Sequence, residues 1–292
     1  MKQYLILIFS FLIQNCIISQ EVKDQEFIGT LQLSDKTLIT FKLKFKELAG
    51  GAIQGTSLSD IYGTDRTLSR IEGSISADKK TISFKEVGNV STKSQADLST
   101  FCFIEVKNAK IKSAKDKSII QGAFTGKFNS GKKCAEGYVY LMSTDYVNKL
   151  ADDILTSKNI KNPDSLAMVK RKVSELKNRA NNTIIKSNEI LNLTWTSQEI
   201  IIDVWDDQTE DSDEISIHIN GEKVLDKFII TNQKKTIIVP IKTKVSTVTL
   251  TALSEGNSPP CTASIILRDG KQETPITAIL KKGESTKVNI NN

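Results

Sequence analysis

The amino-acid sequence predicts a mainly β protein: an N-terminal curled antiparallel meander or barrel, a short helical connector and a C-terminal antiparallel β-sandwich. Three observations predict it. Apolar and polar residues alternate with period two through much of 27–143 and again from 191 onward, as half-buried strands require. Helical spacing replaces that alternation between 144 and 190, and glycines recur inside the strand patterns of the first half. With 292 residues, 39% hydrophobic and 25% charged, the chain is long enough for two ordinary domains with real cores, a composition that argues against disorder.

At the N-terminus, Met1-Lys2-Gln3 precedes an apolar run from Tyr4 to Ile13, too short to span a bilayer but fitting the n- and h-regions of a secretory signal. Residues 1–19 are therefore read as a signal peptide cut after Ser19, and the chain as exported to the periplasm, the outer surface or the extracellular space. A lipid anchor at Cys16 is the competing reading; a lipobox wants a small residue before the cysteine, and Asn15 is not one. No later stretch approaches the roughly 20 apolar residues of a spanning helix, so no transmembrane segment is expected.

Residues 20–143 form the first β unit. Ile39, Phe41, Leu43 and Phe45 share one face of a strand, and Thr40, Lys42 and Lys44 the other. Gly55, Gly73, Gly122 and Gly137 each follow an apolar residue by two positions, and glycine inside a strand marks a bulge, a sharp bend or a close approach of two backbones. Repeated over several strands, this suggests a sheet curling toward closure. In an oxidising compartment Cys102 and Cys134 pair, both lying in this unit, while Cys261 beside Pro259 and Pro260 is left as a buried, inert thiol.

Over 144–190, Tyr146, Val147, Leu150, Ile154 and Leu155 recur at helical spacing; after Asp164, a fitting N-cap, Val169, Val173, Leu176 and Ala180 do the same. From 191 to 292 the pattern returns to strands, about seven or eight of them at the spacing of a sandwich. Ile215, Ile217 and Ile219 alternate with Ser216, His218 and Asn220, and Asn220-Gly221 is the favoured two-residue hairpin turn, needing positive φ at both positions.

Between Asp206 and Glu214 the chain carries six carboxylates in nine positions. Such a loop repels itself unless water or a cation screens it, and calcium takes oxygens from carboxylates, carbonyls and water. Asp206, Glu210, Asp211 and Asp213 are the candidate calcium ligands; the spacing does not match an EF-hand, and a hydrated acidic loop is the plainer alternative.

The chain's single histidine, His218, sits opposite the isoleucines of its strand, which argues against histidine-based triads and two-histidine metal motifs. A glycosidase would need two carboxyls flanking a sugar cleft, and only Trp195 and Trp205 are at hand as tryptophan stacking platforms. The formal charge of +6 is modest, and the lysines alternate with apolar strand residues rather than interleaving with aromatics, so nucleic acid is not an expected partner.

The runs V-W-D-D-Q-T-E-D-S-D-E-I-S-I-H-I-N-G (Val204 to Gly221) and L-S-E-G-N-S-P-P-C-T-A-S-I-I-L-R-D-G (Leu253 to Gly270) resemble a sandwich module of uncharacterised two-domain secreted β proteins of Gram-negative bacteria. Those proteins read D-G-D where this chain has Asp211-Ser212-Asp213, and N-T-A where it has Cys261-Thr262-Ala263. T-K-S at Thr92 to Ser94 and F-C-F at Phe101 to Phe103 are similar to their N-terminal region. The resemblance implies architecture and export, not an activity.

The sequence thus leads to a non-catalytic, exported binding or surface-interaction protein with a carbohydrate or protein partner. It needs no cofactor, although calcium would suit its acidic loop. The alternative is a small-molecule or lipid carrier using the interior of the N-terminal barrel; a glycoside hydrolase is a distant third. A carrier needs an open apolar cavity along the Phe41, Leu43, Phe45 face, and a surface binder needs that core filled.

Overall fold

A computed structural model describes residues 24–61, 65–115, 117–156, 183–207, 210–270 and 272–292. The expected signal peptide, Cys16 and the second expected helix lie outside these residues. Eighteen strands and one α-helix are present among the described residues.

Eight consecutive strands build the first unit: β1 (Gln25–Leu33), β2 (Leu38–Glu47), β3 (Ala52–Ile61), β4 (Asp65–Ile75), β5 (Thr81–Thr92), β6 (Phe103–Ala114), β7 (Lys117–Lys127) and β8 (Lys133–Ser143). Each pairs antiparallel with the next, and β8 returns to β1, with Leu31 opposite Val139 and Gly29 opposite Leu141. The predicted meander is therefore a closed up-and-down barrel. Eight strands leave an interior that side chains just fill. Phe41, Leu43 and Phe45, at 0%, 0% and 1% exposure, occupy it with Phe27, Ile53, Ile71, Phe84, Ile120 and Leu141. Phe27 stacks on Phe45 and Phe41 on Phe84, with ring centroids 6.0 and 6.4 Å apart.

Closure at this width brings backbones close where the sequence places glycine. A Cβ added at Gly55 would stand 2.0 Å from the Lys44 carbonyl oxygen and 2.6 Å from Phe45 Cα. The same crowding meets Gly73 and Gly137, so the glycine units are contact points of the curled sheet. The expected disulfide is present between Cys102 and Cys134, with Cα atoms 5.9 Å apart. It fastens the segment entering β6 to the start of β8.

Helix α1 (Thr144–Thr156) follows β8 and packs against β1 and β8, as the spacing of Tyr146, Val147 and Leu150 predicts. Ten further strands are described: β9 (Thr183–Lys186), β10 (Ile190–Thr194), β11 (Glu199–Trp205), β12 (Asp213–Ile219), β13 (Glu222–Ile229), β14 (Lys235–Pro240), β15 (Val245–Glu255), β16 (Cys261–Asp269), β17 (Gln272–Leu280) and β18 (Ser285–Asn291). One sheet runs β13-β12-β15-β18-β10 and the facing sheet β14-β11-β16-β17-β9. Between them lies a single apolar core that includes Ile202, Val204, Ile215, Ile217, Leu250, Leu267, Ala278 and Ile290. The Asn220-Gly221 turn has the expected positive φ values of 52° and 84°. The strands exceed the seven or eight expected: β9 lies within the reach read as helical connector, and β13 has no alternation to announce it, its residues being exposed or only half-buried.

The two units share a sheet. Strand β5 leaves its partner β6 after Lys85↔Glu105 and pairs instead with β10 at Ser91↔Leu193 and Thr92↔Asn192. Asn192 Nδ2 donates to the Ser94 carbonyl at 3.2 Å, and Lys93 forms an ion pair with Glu189 at 2.7 Å.

Replacing Gly55 with alanine is expected to lower unfolding stability by about 1–3 kcal/mol, the cost of overpacking a tight site, read as a lower urea midpoint at unchanged slope.

Candidate functional site

Two places gather polar side chains that the β scaffold alone does not explain. The first is the predicted acidic loop, at one end of the sandwich. Asp206 closes β11, its backbone N–H donating to the Thr231 carbonyl at 2.8 Å, and its side chain is buried at 3% exposure. Asp211 and Asp213, at 9% and 3% exposure, each spend one oxygen on a backbone N–H: Ser258 N donates to Asp211 Oδ2 and Thr262 N to Asp213 Oδ2, both at 2.8 Å. The other oxygen of each, Oδ1, is buried without a hydrogen-bond partner. Glu210 is not drawn in; it is exposed and accepts from the backbone N–H of Asn232. Ser212, standing where the resembled module has glycine, takes a φ of 73°, the left-handed conformation glycine adopts at least cost.

Burial, opposed by the Thr262 hydrogen bond and reinforced by the charges of Asp211 and Asp206, holds the Asp213 carboxyl above the usual aspartate range. Beside it, the free Cys261 is pushed up to about 12, first by burial and then by the Asp213 charge, so it is an inert thiol. Other buried acids of the sandwich are better satisfied. Asp203 takes Arg268 at 2.9 Å and Thr236 Oγ1 at 2.7 Å, and Asp269 accepts the backbone N–H groups of Thr196 and Ser197 at 2.8 and 2.7 Å. Among the described residues no three His, Cys, Asp or Glu side chains converge closely enough to form a metal cage by themselves. Two orphaned carboxylate oxygens with a third buried acid nearby still suit a hard cation completed by carbonyls and water. Trp195 is a core residue whose indole donates to the Glu199 carbonyl at 3.0 Å, and the half-buried Trp205 has Lys234 Nζ 4.4 Å from its ring centroid.

The second place was not singled out from sequence. Where β5 parts from β6, the barrel wall gapes and a cavity of ≈ 220 Å³ opens, floored by Glu86 and roofed by residues 94–103. Ile82, Phe84 and Glu86 alternate on one side of β5, which was the available signal that Glu86 points inward. Its carboxyl accepts from Ser57 Oγ at Oε1 and from the Ile104 backbone N–H at Oε2, 2.7 Å away, so a side chain takes the place of the missing ladder bond. Removal from bulk water pushes the Glu86 carboxyl up to about 7 against those two hydrogen bonds. Around it, Thr67 bonds Thr92 at 2.7 Å and Ser69 bonds Asn89 at 3.2 Å, while Asp65 Oδ1 on the same wall has no partner.

Comparison of the chain with protein-family models, curated proteins and solved structures finds no match. By its fold the chain is a two-unit β protein, a filled eight-stranded barrel joined through a shared sheet to a sandwich. No helix among the described residues is long and apolar enough to cross a membrane.

Because the folded state holds the Glu86 proton more tightly than the unfolded chain, the ionisation cost of its burial is absent well below pH 4.5 and grows progressively up to about pH 7. Stability is expected to fall by about 3 kcal/mol across that window, and Glu86→Gln to flatten the dependence, as read from urea unfolding at a series of pH values.

Proposed function

We propose that this chain is an exported, non-catalytic carbohydrate-binding protein that contacts its ligand on the outer wall of the barrel. The observation that carries this reading is a tyrosine pair on β8: Tyr138 and Tyr140, 43% and 39% exposed, project from the same strand face. Their neighbours across the ladder are Gln32 and Thr30 on β1, and Ala123 and Gln121 on β7. Aromatic rings two positions apart among amides and hydroxyls match a sugar's apolar face and its hydroxyl edge. The filled barrel weighs against the lipid-carrier reading, since Phe41, Leu43 and Phe45 leave no surface for an acyl chain. The hydrolase reading is weakened because Asp211 and Asp213 are already committed to the backbone N–H groups of Ser258 and Thr262.

Calcium enters this reading as a stiffener of the sandwich. Asp211 and Asp213 would hold it through their unpartnered oxygens, Asp206 adding negative charge, and the ion would relieve the repulsion between these buried acids. The expected signal sequence supports export, and the disulfide suits an oxidising compartment.

Retention on immobilised polysaccharides tests the wall: Tyr138→Ala with Tyr140→Ala is expected to abolish retention while leaving the melting temperature nearly unchanged, both side chains being exposed. Calcium at about 100 times its dissociation constant is expected to add about 2.7 kcal/mol to stability. Calorimetric titration should register that binding, and Asp213→Asn should remove both the heat and the added stability.

A further inference from the structure

The cavity at the parting of β5 and β6 has its own ligand chemistry, independent of the tyrosine wall and of the acidic loop. Among the described residues its lining contains two carboxyl groups, Asp65 and Glu86, and no lysine, arginine or histidine. Arg66, next to Asp65, instead lines the groove toward Thr274 and Pro275 of the sandwich. The hydroxyls of Thr67 and Thr92 and the Ser69–Asn89 pair are bonded to one another across β4 and β5, and Glu86 accepts from Ser57 and Ile104, which leaves Asp65 Oδ1 as the wall's acceptor without a partner. Phe101 and Phe103 line the same cavity, and aromatic rings attract cations. At ≈ 220 Å³ the space is below the roughly 300–1,000 Å³ of sites for drug-sized molecules.

We propose that this pocket binds a small organic cation, a primary amine or guanidinium compound, with its charged head between Asp65 and Glu86 and its carbon chain against Phe101 and Phe103. With Asp65 and Glu86 in the lining and no basic side chain among the described lining residues, an ammonium or guanidinium group is the chemical complement of this wall. Two runs conspicuous in the sequence, T-K-S and F-C-F, converge here: Ser94, Phe101 and Phe103 form the roof, and Cys102 between the phenylalanines is fastened to Cys134. The roof is also tied to the sandwich, Gln95 Nε2 donating to the Ile190 carbonyl at 3.4 Å and Asn192 Nδ2 to the Ser94 carbonyl at 3.2 Å. The site is thus built from fastened segments rather than from a free loop.

Cation binding draws Glu86 into its charged form and releases a proton. The groups facing Glu86 are Ser57 from β3 and the Ile104 N–H from β6, and Asp65 on β4 is the other carboxyl of the described lining. Titration calorimetry of the full chain with agmatine, butylamine and choline, and with glucose as a neutral comparator, tests the assignment. Agmatine or butylamine should bind, with affinity rising from pH 5 to pH 7.5 and with a heat that depends on the buffer's ionisation enthalpy. Asp65→Asn and Glu86→Gln should each weaken binding by about tenfold or more, the loss of one charge-assisted hydrogen bond. Failure of every amine to bind the unaltered chain would overturn the proposal. So would glucose binding that Asp65→Asn weakens as much as it weakens the amines, or amine binding that survives Asp65→Asn, a substitution at the pocket wall that keeps the side chain's size.

Discussion

Strand β5 has two edges and three partners, and much of the molecule follows from how it shares them. One edge is held by β4 along its length, from Ile75↔Ile82 to Thr67↔Thr92. The other serves β6 as far as Lys85 and β10 from Ser91, and the register slips at Val87 and at Val90 allow the strand to swing from barrel to sandwich between them. In the handover neither neighbour supplies a backbone acceptor for the Ile104 N–H. An unpaired buried donor is costly, and Glu86 fills the gap with a carboxyl held in a poorly solvated niche. The cavity, its roof and the raised pKa of its floor are consequences of one strand changing partners.

The protein handles its buried acids in two ways. In the middle of the sandwich, Asp203 is neutralised by Arg268, and at its rim Asp269 is saturated by N–H and hydroxyl donors from Thr196 and Ser197. These are structural solutions in which donors match acceptors. Asp211, Asp213 and Asp65 instead keep one oxygen unserved, and all three lie at or within two residues of a strand start, where ladders run out. Leaving an acceptor unserved there costs stability that a cation can return.

Most of the architecture was legible because the physics behind it is local. Alternation at Ile39 to Phe45 records one wet and one dry face, glycine at Gly55 and Gly73 records crowding of neighbouring backbones, and Asn220-Gly221 records a turn of the required handedness. The Cys102–Cys134 bond could be read from the expected compartment and from both cysteines lying in the first β unit. What escaped depends on distant partners. Strand β9 is four residues long and earns its conformation from parallel pairing with β17, nearly a hundred positions away, and β13, with much of its surface wet, has no dry face to advertise. The acidic loop was visible as a density of charge, yet the separation of Glu210 from the three buried aspartates depends on Asn232, Ser258 and Thr262. Glu86 was overlooked for the opposite reason: a lone glutamate flanked by Lys85 and Val87 resembles any solvated strand residue unless the parity of Ile82 and Phe84 is carried one step further.

Between Ser91–Thr92 and Leu193–Asn192 the ladder that unites barrel and sandwich narrows to two facing positions, whereas β5 pairs with β4 over nine positions and β10 with β18 over five. Under traction such a join behaves like the perforation in a sheet of paper. A molecule fixed to a surface by one unit and loaded through the other would tear open along this line first, while each unit kept its own core intact.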